Sequence, residues 1–215
     1  MTNFDVTQIE ELLRRQEAER QETLRKTELV RRLAELGERP VVIQPPGRNP
    51  VILRPATALD FPDIKDLHNE AGGLNDGSDA SLAGKLYEFH ETMRSTICLA
   101  RDNLNNALLG IACIDWSAHQ LKTALVVNVL VATSTRRQGI AACLMQFIEI
   151  LVAKFEHHQL AVMVMPTNAN ALSLYKKLGF VQIFDGSTWS RCPFPLNSQV
   201  QANVPPPLCV YSKMI

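Results

Sequence analysis

The sequence predicts a mixed α/β fold, one sheet with helices set between its strands, preceded by a separate N-terminal helix. Three observations carry this. Apolar runs of strand length, rich in Val, Ile and Leu, recur from Val51 to the C-terminus. Stretches of helical period separate them, one closed by Gly179. The first 39 residues differ from the rest, with 9 acidic and 8 basic residues and no glycine before Gly37.

The bulk numbers narrow the function classes. A chain of 215 residues, 46% hydrophobic and 20% charged, can build one ordinary core with an appendage. Lys+Arg equals Asp+Glu at 22 each, so no net field favours nucleic acid or an anionic membrane as partner. No run of 18 apolar residues suggests a membrane span, and MTNFDVTQIEELL lacks the pattern of a signal peptide. Five scattered cysteines, with no CxxC and no Cys/His spacing for zinc, read as reduced thiols of a cytoplasmic protein without a metal.

In order, residues 1–39 are expected to form a charged helix. Thr7 to Glu10 has the form of a capping box, and acid-then-base pairs follow at Glu10/Arg14, Glu11/Arg15, Glu22/Lys26, Glu28/Arg32 and Glu35/Arg39. Gly37 and Pro40 stop it. Its apolar stripe is thin, which suits a solvated helix packing one end on its own domain; a partner-binding or homodimer-forming helix is the other reading. Residues 40–50, with four prolines, are expected as a linker to a main domain at 51–215.

That domain opens with a strand at Val51–Arg54, a helix over ALDFPDIKDLHNEA and a second over SLAGKLYEFHETMRS. TICLARD and ALLGIACIDW form a hairpin around the NLNN turn. Thr123 to Val131 is a long strand, and a helix follows Gly139. LAVMVMP is a buried strand, NANALSLYKKLGF a short helix, and VQIFD and PLCVYSKMI the last strands. The order is β-α-α-β-β-β-α-β-α-β-β.

The chemistry concentrates where Leu125–Val131 runs through a charged turn into the helix after Gly139. A helix start presents unpaired N–H groups and a partial positive charge, which together bind phosphate. A Walker loop would need a second glycine and Lys-Ser/Thr, and a dinucleotide fingerprint would need G-x-G-x-x-G; neither is present. A plain strand-to-helix connection with surface arginines remains as the alternative.

Two motifs decide between them. Arg136-Arg137-Gln138-Gly139-Ile140-Ala141 fits Arg/Gln-x-x-Gly-x-Gly/Ala. Asn168, Ala171, Tyr175, Gly179 and Phe180 fit Asn-x-x-Ala-x-x-x-Tyr-x-x-x-Gly-Phe. Together, in this order and on these elements, they resemble the GNAT superfamily of N-acetyltransferases over about 125 to 182. The resemblance implies acetyl-CoA as cosubstrate, without a metal, and an amine of a small molecule or peptide as acceptor. It also implies roles. Arg136, Arg137, Gln138, Gly139, Ile140 and Ala141 would hold the pyrophosphate, the backbone at Val129 and Val131 the pantetheine amides, and Asn168 would lie by the cofactor. Tyr175 would act as general acid toward the leaving sulfur.

One position departs from the family. Many relatives carry a glutamate as base where this chain has Asn128, which cannot take a proton. Asn128 could orient a water; other candidates for the base are Asp115, His119, Glu88 and His90. The long loop 185–207, with Trp189 and Phe194, is expected to wall the acceptor side. A non-catalytic module that binds acyl-CoA, or acts through its N-terminal helix, is the rival reading.

Overall fold

The computed structural model describes residues 6–70, 95–116, 122–185 and 209–215, with backbone alone at 6–9, 25–26, 29–30 and 36–38. The second expected helix, the base candidates Glu88, His90 and His119, and Trp189 and Phe194 lie outside these residues.

Helix α1 spans Val6–Glu38. It is already under way at Thr7, so that residue sits inside the helix rather than at its cap. Glu11–Arg15 and Glu28–Arg32 form expected ion pairs, and Arg31 joins Glu28 and Glu35 as well. Its C-terminal half docks: Leu33 packs on the main core, and Arg32 donates to the Lys154 carbonyl at 2.6 Å with its guanidinium over the Phe155 ring. Ahead of that docked end, Leu12, Leu13 and Leu24 are exposed.

The segment expected as a linker contains a strand. β1 (Val41–Ile43) pairs antiparallel with β2 (Val51–Pro55), Val41 opposite Leu53. Prolines at 40, 45, 46 and 50 suggest irregular chain, yet the β-branched run between them fits a sheet edge, where proline flanks cost no ladder bond. α2 (Phe61–Glu70), β3 (Ser95–Asp102), β4 (Leu108–Asp115), β5 (Thr123–Val131), α3 (Ile140–Lys154), β6 (Gln159–Val164), α4 (Ala169–Lys177), β7 (Val181–Phe184) and β8 (Cys209–Met214) follow. The sheet order is β1-β2-β3-β4-β5-β6-β8-β7, with β5 and β6 parallel and the other neighbours antiparallel.

Alternation along the strands sorts the core into two faces. Cys98, Ala100, Ala112 and Ile114 face α3, whose Leu144, Phe147, Ile148 and Leu151 are fully buried. Ile97, Leu99, Ile111 and Cys113 face Ile64 and Leu67 of α2. α2 is held by charge as well as packing. The buried Asp60 carboxylate accepts from Arg54 at 2.7 and 2.8 Å, from the Thr57 amide at 2.8 Å and from Arg101 at 2.8 Å. Burial alone would raise this carboxyl, but the Arg54, Thr57 and Arg101 bonds outweigh it and hold Asp60 well below the usual carboxylate range. Among the described residues no helix is long and apolar enough to cross a membrane.

Candidate active site

The site begins with a defect in the sheet. Ile111 pairs with Leu130 and Cys113 with Val127, so Ala112 of β4 faces two residues of β5, Asn128 and Val129. This is a β-bulge, and Asn128 takes the left-handed conformation it needs, with φ 53°. A bulge bends its strand. β5 pairs with β6 only as far as Val126 opposite Val162, although β5 runs on to Val131 and β6 to Val164. The two parallel strands therefore part into a cleft.

Backbone alternation gives the direction of the freed groups. The Ala132 amide donates to Leu109 at 2.9 Å, toward β4. Val131 and Val129 therefore turn their N–H and C=O to the other side, into the cleft. That edge suits an extended ligand with amides of its own. The Val131 carbonyl is met by Arg136 Nε at 3.3 Å. The side chains of Val129 and Val131 pack on the main core, which also contains Tyr175.

At the head of the cleft the chain turns into α3. Thr133–Thr135 makes one 3-10 turn, fixed by Glu70 of α2, whose carboxylate accepts from the Thr133 amide at 2.7 Å, and by the buried Thr135 hydroxyl, which bonds the carbonyls of Leu109 and Ala132. Arg137 and Gly139 both adopt positive φ, 64° and 83°. Gly139 is the N-cap of α3 and has no side chain to satisfy the helix start. The first helix bond closes from Cys143 to the Gly139 carbonyl at 3.0 Å, so the N–H groups of Ile140, Ala141 and Ala142 precede any intrahelical partner. The Ile140 side chain is buried in the core, which leaves its amide as the group it can offer a ligand. Gln138 bonds back to Ser134 at 3.0 Å.

The second motif sits beside the first. Arg137 Nη1 donates to Asn170 Oδ1 at 2.9 Å, two residues beyond Asn168. Asn168 caps α4, its Oδ1 accepting from the Ala171 amide at 3.1 Å. Tyr175 is 5% exposed, tilted against Phe180, and burial pushes its phenol up to about 12. Among the described residues its hydroxyl has no protein partner.

Asn128 is exposed and is the extra residue of the bulge; its conformation bends β5. Asp115 pairs opposite Leu125, at the end of the β4–β5 ladder away from the cleft head, where Gly110 meets Val131. Its neighbour Trp116 is a core residue, 1% exposed, donating to Thr96 at 2.9 Å. No group of three or more His, Cys, Asp or Glu able to hold a metal occurs among the described residues.

Sequence reasoning passed over Gly110. A Cβ there would lie 2.8 Å from the Leu130 carbonyl and 3.2 Å from Ile140, so its absence lets β5 and the start of α3 close on β4. A lone glycine inside an apolar strand was the available signal.

Residues 93–182 match the family model described as an acetyltransferase (GNAT) domain. No curated protein matches the chain. Among solved structures, the chain is similar to an N-acetyltransferase from Staphylococcus aureus Mu50, at 18% identity and TM-score 0.57, covering 76% of this chain and 98% of that one. It is similar to a ribosomal-protein-alanine N-acetyltransferase from Brucella melitensis, at 16% identity and TM-score 0.55, covering 76% and 99%. It is also similar to a putative ribosomal-protein-serine acetyltransferase from Vibrio cholerae, at 15% identity and TM-score 0.59, covering 83% and 99%. The structural likeness concerns the fold. The matched segment runs from β3 into β7 and takes in the bulge, the cleft and both motifs, so this part of the chain is similar to the acetyltransferase (GNAT) domain.

Proposed function

We propose that this protein transfers an acetyl group from acetyl-CoA to an amine of a small molecule or peptide, by direct attack in a ternary complex. The observation that carries the reading is the open backbone edge of β5 beyond Val126, running into the uncapped start of α3. A donor with two amides in its arm and a pyrophosphate behind them fits that order of groups. The amides pair with Val129 and Val131, and the pyrophosphate meets the N–H groups at 138–142.

In the transfer, the amine nitrogen forms a bond to the thioester carbonyl carbon and the C–S bond breaks. The amine loses a proton and the sulfur leaves as thiolate or thiol. A thiol has a pKa of ~8.5. A phenol pushed up to about 12 keeps its own proton against such a thiolate. Tyr175 therefore serves as a hydrogen-bond donor that stabilises charge growing on sulfur, rather than one that ends the step deprotonated. Asn128 cannot accept the amine proton, so the amine enters neutral or loses its proton to water.

The test measures acetyl-CoA binding by calorimetry, then free-thiol release with a panel of polyamines, small amines and peptides with free N-termini. Binding with amine-dependent thiol release is expected. Binding without release from any amine leaves the non-catalytic module as the correct reading.

A further inference from the structure

The turn between β1 and β2 stands against the start of α3, outside the segment that the family model matches. The Arg48 amide bonds the Pro45 carbonyl at 3.3 Å, Gly47 supplies φ 67°, and the Gln44 carboxamide donates to the Arg48 carbonyl. Pro45 is buried, and a Cβ placed on Gly139 would lie 3.7 Å from the Pro45 Cβ. Between turn and loop is an open cleft of about 530 Å³, lined by Gln44, Gly47, Arg48, Asn49 and Gln138.

Two facts about this cleft point to an anion. None of its lining residues is acidic. Arg48, which lines it, is half-buried, and its Nη1 is shut off from solvent with no hydrogen-bond partner. A buried guanidinium nitrogen left unbonded is costly, and arginine forks match phosphate oxygens well. The facing wall carries Gln138, next to the N–H groups at the start of α3.

From this we infer that Arg48 is a phosphate ligand for the nucleotide end of the acyl-CoA donor, and that the 44–49 turn forms the second wall of the donor's phosphate site. The inference rests on the proposed function and deepens it. Residues ahead of the matched domain then take part in donor recognition, with Arg48 and Gln138 holding one phosphate from opposite sides.

The experiment titrates the full chain with CoA and with 3′-dephospho-CoA, for wild type, Arg48→Ala and Arg48→Lys, with thermal melts of each. Arg48→Ala should melt like wild type and bind CoA about ten- to a hundredfold more weakly, as expected for a lost charged hydrogen bond. Arg48→Lys should fall between, keeping the charge without the fork. If both ligands lose the same factor, Arg48 holds the pyrophosphate; if only CoA loses, it holds the ribose phosphate. Equal CoA affinity in folded Arg48→Ala and wild type would overturn this inference alone. A wild-type chain that binds no CoA would overturn the proposed function along with it.

Discussion

Arg137 Nη1 donates to Asn170 Oδ1 at 2.9 Å, tying the loop before α3 to the first turn of α4. Both side chains are exposed, so the bond contributes little to stability, about 1 kcal/mol or less. Its effect is on spacing: it fixes the distance between two helix starts on either side of the cleft. Arg137 makes this bond from a left-handed backbone, and Gly139 continues the same turn.

The first prediction concerns Gly139. A side chain there meets an unfavourable φ, costing about 1–2 kcal/mol, and the Pro45 wall. Gly139→Trp should remain folded, by circular dichroism and melting, but lose acetyl-CoA binding by calorimetry. Unchanged affinity would show that the donor's phosphates do not approach this backbone.

Tyr175→Phe should lower kcat by about 10²-fold or more while leaving the KM for acetyl-CoA nearly unchanged, since the bond to sulfur strengthens as the thiolate forms. With its phenol pushed up to about 12, Tyr175 stays protonated through the assay range, so wild-type rates should show no alkaline fall from this group below pH 10. Full activity in Tyr175→Phe would reduce the residue to a packed ring.

Asp60 sets the acid limb of stability. Its folded pKa lies below its unfolded value of 3.8, so its contribution is fully present above about pH 4 and is lost as pH falls through the folded value. Wild type should therefore lose stability steeply below pH 4 in denaturant titrations. Asp60→Asn should flatten that slope and cost about 3–5 kcal/mol at pH 7, because Arg54 would lose its carboxylate and the buried Arg101 would keep only the exposed-side Asp63. Parallel slopes in the two proteins would mean that the network is not what titrates.

A chain beginning at Val41 should fold and bind acetyl-CoA. It loses Leu33 from the core and the Arg32 contacts with Lys154 and Phe155, about 1–2 kcal/mol together. For a protein of this size that lowers the melting temperature by roughly 2–8 °C. An unfolded product would make α1 part of the core and move the domain boundary ahead of it.

The elements of this fold were legible where one residue pattern had one structural meaning. Alternating and continuous apolar runs marked β3 to β6 and β8, and Gly179, at φ 85°, closed α4 as its position suggested. β1 was hidden because its prolines spell a linker, while its pairing depends on the free edge of β2. The two site motifs were readable as a resemblance, but their join through Arg137 and Asn170 was not, since neither belongs to a fixed position of both patterns. Arg48 was invisible for a similar reason: only the folded chain brings it to Gln138. Asn128 was readable as a missing base because its side chain differs from the family's, whereas its backbone conformation is a property of the ladder.

That bulge has a consequence for deletions. Val127 and Leu130 face α2, while Val126, Val129 and Val131 pack toward α3. Asn128 is thus a surplus link between two correctly phased halves of β5. Excising it would leave every valine on its present face and straighten the strand, letting the β5–β6 ladder zip past Val126 toward Val164. Loss of one residue from the middle of a central strand would then spare the melting transition and shut the donor out, a separation that melts and calorimetry on the deletion variant would read directly. Slack in a single strand, rather than any added loop or lid, is what keeps this sheet from healing its own opening.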